Sequence, residues 1–221
     1  MTARALHRYG DHPAQVVERF APAGEPRGTA AVFHGGFWRD AYDRHLMDDL
    51  CDDLAGAGWA AWNVEYRRLG GGGGWPATFE DVTASLDLVG APVVTIGHSA
   101  GGHLALWAAG HPNVTRAVAQ AGVVDLEAAI RLGLSRGAAR ELVGDGDLAA
   151  CSPAARLPLG VPQLLVHGAD DDTVPSSMSA AYAERARAAG DAVDTAILPG
   201  VGHFEHLDPR SAAWAAVREW L

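Results

Sequence analysis

The chain has 221 residues, of which 48% are hydrophobic, and it carries a formal net charge of −10 at pH 7. This length is typical of one globular domain with a sizeable core, and the negative charge disfavours nucleic acids and anionic membranes as partners. We also expect no signal peptide, and the sequence has no apolar run of the ~20 residues that span a bilayer. We therefore expect a single domain over residues 1–221, in the cytoplasm and without a membrane partner.

The two cysteines, Cys51 and Cys151, are far apart and lack the spacing of a metal site, which is typical of unpaired thiols in a reducing compartment. His, Cys and Asp residues form no cluster with zinc spacing. The glycine run at 70–74 lacks the Lys-Ser/Thr of a phosphate loop. We therefore predict no metal and no cofactor. A homodimer is compatible with this composition.

Strand and helix patterns alternate along the chain. Apolar–polar alternation over 15–20 predicts a half-exposed edge strand, and the remaining apolar runs predict buried strands. Thr78, with Asp81 three residues on, resembles a capping box at a helix start. The predicted strands lie at 15–20, 29–33, 59–64, 93–96, 114–121, 162–167 and 193–198, and the predicted helices lie at 42–57, 78–88, after residue 101, and at 125–143, 176–189 and 209–221.

This alternation predicts an α/β fold with a mostly parallel sheet and helices on both faces. Residues 123–161 form a segment longer than one crossover helix needs. We interpret the segment as a small cap insertion at the carboxyl edge of the sheet, where open α/β sheets bind ligands.

Residues 97–101, G-H-S-A-G, follow a buried strand and precede an Ala/Leu-rich helix. In that context the pattern predicts a nucleophile elbow, with Ser99 at the tip of a strained turn. Side chains at Gly97 and Gly101 would collide with the neighbouring strand and helix. The helix N-terminus would lie where an oxyanion develops, so the N–H group of Ala100 is a candidate donor.

A serine nucleophile needs a general base, which in this strand–helix arrangement follows it in the chain. His203 lies in a glycine-flanked loop just after the last predicted strand, at the carboxyl edge of the sheet. His206 is the alternative base. His103 lies one helical turn after Ser99, where a histidine more often packs or hydrogen-bonds within the fold.

The base in turn needs an orienting carboxylate. Asp171 is our choice, because the residues after the strand at 162–167 include three consecutive aspartates. Asp170 and Asp172 are typical of turn and capping residues. Asp125, which follows the preceding strand, is the less favoured candidate for the orienting carboxylate.

Residues 34–38, H-G-G-F-W, also follow a buried strand. A glycine pair there lets a backbone N–H approach a bound oxygen closely, so Gly36 or Phe37 is the candidate second oxyanion donor beside Ala100. The alternative is an ordinary Gly-Gly turn with packed aromatic side chains. The predicted substrate-pocket residues are His34, Gly35, Phe37, Trp38 and His98.

With these residues the chain resembles the α/β-hydrolase superfamily over nearly its whole length. The motifs in family order are H-G-G-F-W at 34–38, G-H-S-A-G-G at 97–102, H-G…D…V-P at 167–175 and G-H at 202–203. The first is similar to that of kynurenine formamidases (arylformamidases) and related small bacterial esterases. The resemblance implies Ser99 as nucleophile, Asp171 as acid and His203 as base.

We therefore expect a metal-free serine hydrolase whose partner is a small-molecule ester or activated amide, cleaved through an acyl-enzyme on Ser99. The specific alternatives are an arylformamidase acting on N-formylkynurenine-type formamides and an exopeptidase-like amidase. A lyase could use the same three residues. From another class, a non-hydrolytic binding protein could share the scaffold, because fold does not determine function.

Overall fold

The computed structural model of the chain describes residues 2–221. The strands are β1 (Ala3–Arg8), β2 (Val16–Ala21), β3 (Gly28–Phe33), β4 (Trp59–Val64), β5 (Val93–His98), β6 (Val114–Gln120), β7 (Gln163–Gly168) and β8 (Val193–Leu198). The α-helices are α1 (Asp48–Gly56), α2 (Ala77–Val89), α3 (Ala100–Trp107), α4 (Leu126–Arg131), α5 (Ala138–Val143), α6 (Leu148–Cys151), α7 (Ser176–Ala188) and α8 (Ala212–Trp220). Short 3₁₀ turns include Arg44–Met47 and Glu205–Leu207.

The strands form a sheet in the order β1-β2-β4-β3-β5-β6-β7-β8. Strands β3 to β8 run parallel, and β2 is antiparallel to both β1 and β4. Successive residues of a strand point to opposite faces. Accordingly, Ala31 and Phe33 pack with residues of α2, α3 and α7, whereas Ala30 and Val32 pack with residues of α1 and α8. The predicted α/β fold with helices on both faces is confirmed.

The prediction of an edge strand at 15–20 is wrong. β1 pairs along the whole of β2, from Ala3 opposite Ala21 to Arg8 opposite Val16. The edge strand on this side of the sheet is β1, whose side chains are nearly all exposed. Because β1 carries no apolar alternation, its pairing through backbone groups leaves no hydrophobic pattern in the sequence.

The predicted helix at 125–143 is interrupted. α4 ends at Arg131, and Gly133 and Gly137 then adopt left-handed φ angles of 66° and 82° before α5 begins. A left-handed residue cannot continue a right-handed helix. The segment 123–161 is therefore a series of short helices. Its apolar residues belong to the same core cluster as α2 and α3.

The predicted capping box at Thr78 is also wrong, because α2 begins one residue earlier, at Ala77. The buried Thr78 hydroxyl instead accepts from the Gly74 N–H (2.9 Å) and donates to the Arg67 carbonyl (2.7 Å). Asp81 accepts a hydrogen bond from the Arg67 guanidinium at 2.7 Å. These contacts fasten the glycine-rich loop to α2.

Cys51 and Cys151 are both buried and form no disulfide among residues 2–221. Burial raises the pKa of the Cys151 thiol to about 12 and that of Cys51 well above its usual value, so neither is a reactive thiolate. In the described part of the chain, no helix combines the length and apolar character needed to cross a bilayer.

Candidate active site

Ser99 lies at the junction of β5 and α3 with φ 56° and ψ −117°, a strained conformation for a residue with a side chain. The glycines on either side make this turn feasible. A Cβ atom on Gly97 would lie 2.0 Å from the Gly101 carbonyl oxygen, and one on Gly101 would lie 2.0 Å from the Phe33 carbonyl oxygen. The structure therefore agrees with the prediction that side chains at Gly97 and Gly101 would collide with neighbouring backbone.

The structure brings Ser99, His203 and Asp171 into one hydrogen-bonded series. The Ser99 Oγ atom lies 3.0 Å from His203 Nε2, and His203 Nδ1 lies 2.7 Å from Asp171 Oδ2. Because the carboxylate only accepts, Nδ1 carries the ring proton and Nε2 presents its lone pair to the serine hydroxyl. This arrangement can take a proton from Ser99 as its oxygen attacks a carbonyl carbon.

Backbone contacts hold His203 in place. The loop after β8 lies directly on the end of β7, because a Cβ on Gly168 would be 2.1 Å from the Val201 carbonyl oxygen. The ring of His98, the residue before Ser99, donates from Nε2 to the His203 carbonyl at 2.8 Å. The elbow therefore positions both the serine and the backbone of its partner histidine.

Asp171 is held through both carboxylate oxygens. Its Oδ1 atom accepts from the N–H groups of Thr173 (2.9 Å) and Val174 (2.8 Å), while Oδ2 accepts from His203 and lies 3.1 Å from His167 Nε2. Burial alone would raise the pKa of Asp171. Its hydrogen bonds with His167 and His203 outweigh that effect and keep the pKa well below the usual range, so Asp171 is a carboxylate at neutral pH.

The other candidate acids and bases lie elsewhere. Asp125 caps α4, accepting from the Ala128 N–H at 3.0 Å, and pairs with Arg185 at 2.9 Å. His206 is buried beside His98, with 6.0 Å between ring centroids. His103 donates to the Cys151 carbonyl at 2.9 Å, in agreement with the expected role within the fold. Asp170 and Asp172 are exposed.

The candidate oxyanion donors are free to bind a ligand. The N–H groups of Gly36, Phe37 and Ala100 donate no hydrogen bond to any group within residues 2–221. Gly36 and Phe37 line the same cavity as Ser99, and Ala100 is the first residue of α3. Phe37 has a φ of 58°, which is rare for an aromatic residue, and such strain clusters at functional sites.

A cavity of about 100 Å³ adjoins Ser99 and His203. It contains no Asp, Glu, Lys or Arg side chain among its described lining residues, so it suits an uncharged group. Three of its aromatic and aliphatic side chains are exposed at the rim: Phe204 (66%), Tyr42 (42%) and Leu46 (37%). The lining residues are Gly36, Phe37, Tyr42, Leu46, His98, Ser99, His203, Phe204 and Leu207.

Of the predicted pocket residues, Phe37 and His98 line this cavity, whereas His34, Gly35 and Trp38 do not. His34 is fully buried, bonds to Glu65 at 2.9 Å and stacks on Tyr66. Gly35 packs against the elbow, and a Cβ there would lie 3.0 Å from the His98 carbonyl oxygen. Trp38 is 1% exposed, with its ring edge-on to His103. These residues hold the loop rather than contact the cavity.

Sequence reasoning missed four lining residues: Tyr42, Leu46, Phe204 and Leu207. Tyr42 and Leu46 lie in the segment 42–57, which the sequence predicts to be a helix, and nothing in that pattern indicates a pocket. Phe204 follows the candidate base directly. Its exposure at the rim is visible only in the folded chain.

Glu18, His45 and Asp48, far from Ser99 in sequence, place potential metal-ligand atoms within 4.8 Å of one another. Arginines already neutralise both carboxylates: Arg44 Nε lies 3.4 Å from Glu18 and Arg4 Nη1 lies 3.5 Å from Asp48. Two guanidinium groups at this position oppose a divalent cation. Ion pairing therefore accounts for the cluster without a metal.

The sheet and the strained serine between β5 and α3 give the chain the α/β-hydrolase fold. Within that superfamily the chain belongs to the prolyl oligopeptidase family, whose sequence model matches residues 83–220. No curated protein matches the chain.

Several solved structures share the fold. Esterase 2 of Thermogutta terrifontis, phosphonylated by sarin, is 21% identical with a TM-score of 0.82, over 99% of this chain and 92% of that one. Esterase B of Lactobacillus rhamnosis is 22% identical with a TM-score of 0.84, over 99% and 84%. A truncated carbohydrate esterase from gut microbiota is 18% identical with a TM-score of 0.82, over 97% and 93%. At these identities the likeness establishes the fold alone.

Proposed function

We propose that the protein is a serine esterase that cleaves esters of short, uncharged carboxylic acids through an acyl-enzyme on Ser99. The observation that carries this proposal is the hydrogen-bonded series Ser99–His203–Asp171, with distances of 3.0 and 2.7 Å, at the wall of an apolar cavity. Several of the solved structures with this fold are esterases, which is consistent with the proposal.

In the proposed reaction, Ser99 Oγ attacks the ester carbonyl while His203 Nε2 takes the hydroxyl proton. The carbonyl oxygen becomes an oxyanion, which accepts from the Ala100 N–H and from the N–H of Gly36 or Phe37. When the tetrahedral intermediate collapses, the carbon–oxygen bond to the alcohol breaks and His203 returns the proton to it. Water then attacks the acyl-enzyme by the same steps, with His203 again as base.

The cavity sets the proposed substrate class. A volume of about 100 Å³ equals that of roughly three water molecules, which accommodates an acetyl to butyryl group but no long acyl chain. Without a charged lining residue, the cavity offers no partner to an ionised acyl group. The exposed rim formed by Phe204, Tyr42 and Leu46 is a surface for an apolar or aromatic alcohol.

An arylformamidase is the second candidate. A formyl group is the smallest acyl group and fits the same cavity, and the aromatic rim residues could contact an aniline ring. The exopeptidase-like amidase has less support, even though the family match includes peptidases. No carboxylate lines the cavity within the described residues to bind a free peptide amino group.

The test compares kcat/KM for p-nitrophenyl acetate, butyrate and octanoate and for N-formylkynurenine. We expect the acetate and butyrate esters to exceed the octanoate by at least about tenfold, because a chain larger than the cavity displaces the lining side chains, and such overpacking costs about 1–3 kcal/mol. Ser99→Ala should lower kcat by about 10⁴-fold or more. Ser85→Ala is the matched control, because that buried hydroxyl bonds only to the Val82 carbonyl (2.8 Å).

Two outcomes would change the assignment. A preference of several hundredfold for N-formylkynurenine would make the protein an arylformamidase. Full ester turnover by Ser99→Ala would remove Ser99 from the mechanism and refute the proposed acyl-enzyme.

A further inference from the structure

A second histidine contacts the carboxylate of Asp171. His167, near the end of β7, is fully buried, and its Nε2 atom lies 3.1 Å from Asp171 Oδ2 and 2.9 Å from the Val174 carbonyl oxygen. Its other ring nitrogen, Nδ1, lies 2.7 Å from the hydroxyl of Ser179 in α7. The oxygen that accepts from His203 is thus shared between two imidazole rings.

The partners determine the protonation of His167. Both groups near Nε2 are acceptors, so Nε2 carries a proton. In the neutral ring Nδ1 is then an acceptor, and the Ser179 hydroxyl donates to it. Ser179 is itself fully buried, so no solvent competes for this hydrogen bond. The hydroxyl therefore selects the tautomer in which the Nε2 proton faces the Val174 carbonyl oxygen at 2.9 Å and the Asp171 carboxylate oxygen at 3.1 Å.

We propose that His167, oriented by Ser179, is a positioning residue that aims the Asp171 carboxylate at His203. This inference rests on the proposed function, because it assigns Asp171 the orienting role. The N–H groups of Thr173 and Val174 hold one carboxylate oxygen, and the Nε2 atom of His167 lies 3.1 Å from the other, where its proton opposes rotation of the carboxylate away from His203. Second partners of this kind are general features of precisely oriented sites.

The contact between His167 and Asp171 also affects the charge on the carboxylate. A donor on Oδ2 withdraws part of the negative charge that stabilises the imidazolium form of His203 during the reaction. Removing the His167 N–H leaves the imidazolium form of His203 more stable, so the acidic limb of the kcat/KM profile moves to higher pH. His98 and His206 are the other titratable groups packed near these rings: the centroid of His98 lies 4.8 Å from that of His203, and the centroid of His206 lies 6.4 Å from that of His167. Burial lowers the pKa of His98 to about 3, so its ring is uncharged. Burial lowers the pKa of His206 to about 3, so it is uncharged over the same range.

Two amide variants separate positioning from packing. Glutamine places its terminal N–H group near the position of Nε2, whereas asparagine reaches only the position of Nδ1. With p-nitrophenyl acetate, we expect His167→Asn to lower kcat by about 10- to 100-fold with little change in KM, and His167→Gln to retain kcat within about threefold. The acidic limb should move up by about half a pH unit in His167→Asn.

A smaller substitution tests the same positioning role if His167→Asn does not fold. Ser179→Ala removes the hydroxyl that selects the tautomer and should shift kcat and the acidic limb in the same direction, by a smaller amount. Ser85→Ala, another buried helical serine bonded only within its own helix, should leave both unchanged. Circular dichroism and urea unfolding measure the folded fraction of every variant.

Ser99→Ala is measured in parallel, so that the two proposals can fail separately. If Ser99→Ala is inactive while His167→Asn and Ser179→Ala keep the wild-type kcat and pH profile, the positioning role is wrong and the proposed function stands. The positioning role is also wrong, and the proposed function also stands, if His167→Asn and His167→Gln lower kcat equally and only in proportion to the unfolded fraction. If Ser99→Ala remains active, the proposed function itself fails.

Discussion

Lowering the pH should destabilise this protein because three histidines are buried in the neutral form. Burial lowers the pKa of His98 to about 3, of His103 to about 4 and of His206 to about 3, from an ordinary value near 6.5. None of the three has a carboxylate hydrogen-bond partner within residues 2–221. In the unfolded chain each ring takes up a proton about three pH units earlier than in the folded one.

The size of the loss in unfolding free energy follows from the linkage between proton binding and folding. A folded-state pKa below the unfolded one means that the unfolded state binds the extra protons as pH falls, so stability is complete above about pH 6.5 and declines below it. Each histidine costs about 1.4 kcal/mol per pH unit, so the three together remove about 4 kcal/mol between pH 7.5 and pH 5.5. That is a large part of the 5–15 kcal/mol that typically stabilises a domain.

Carboxylates do not contribute in this window. The pKa values of Asp171 and Glu65 are lowered in the folded state, so both groups lose their stabilising effect only below about pH 4.5, where the unfolded chain begins to protonate them. The decline between pH 6.5 and pH 4.5 therefore reports on the histidines.

Urea unfolding followed by tryptophan fluorescence at pH 7.5, 6.5 and 5.5 measures this decline. His103→Gln provides the control, because it removes one titrating ring and should reduce the loss at pH 5.5 by about 1.4 kcal/mol. Equal free energies of unfolding at pH 7.5 and 5.5 would refute the reasoning. An unchanged pH dependence in His103→Gln would refute the assignment to that ring.

Three further changes have defined outcomes. Gly101→Ala places a Cβ 2.0 Å from the Phe33 carbonyl oxygen and should abolish cooperative thermal unfolding or lower its midpoint sharply, whereas Gly56→Ala in α1 has open space and should stabilise by about 0.5–1 kcal/mol. Equal melting points would contradict this. Leu46→Trp should reduce kcat/KM for p-nitrophenyl butyrate more than for acetate, and an unchanged acyl preference would remove Leu46 from the pocket. Thr78→Ala leaves two backbone groups unpaired and should lower the free energy of urea unfolding by about 1–3 kcal/mol, so a neutral result would show that the loop is held by other contacts.

The parts of the fold that could be predicted are those recorded locally in the sequence. Buried parallel strands are mostly apolar runs, so the sequence predicts β4 with the bounds that the structure has. The predicted bounds of β8 also match, although β8 is a largely exposed strand at the sheet edge. The elbow was predictable because its glycines are required by contacts as short as 2.0 Å. β1 could not be found in this way, since an exposed strand that pairs through its backbone needs no particular side chains.

The substrate pocket was harder to predict because adjacency in sequence is not adjacency in space. Trp38 follows Phe37 directly, but both residues have positive φ angles, and the chain turns the indole into the core. Leu46 reaches the same cavity from a 3₁₀ turn eight residues later. Such a contact depends on tertiary packing, and a single sequence does not record it.

The central claim is that Ser99 is the nucleophile, and active-site titration tests it most directly. The protein is treated with a fluorophosphonate, its intact mass is measured, and the labelled residue is mapped by peptide mass spectrometry. We expect one adduct per chain, on Ser99, with loss of esterase activity in proportion to labelling and no adduct on Ser99→Ala. A folded, ester-cleaving protein that carries the adduct elsewhere, or that is fully inhibited without modification of Ser99, would contradict the account.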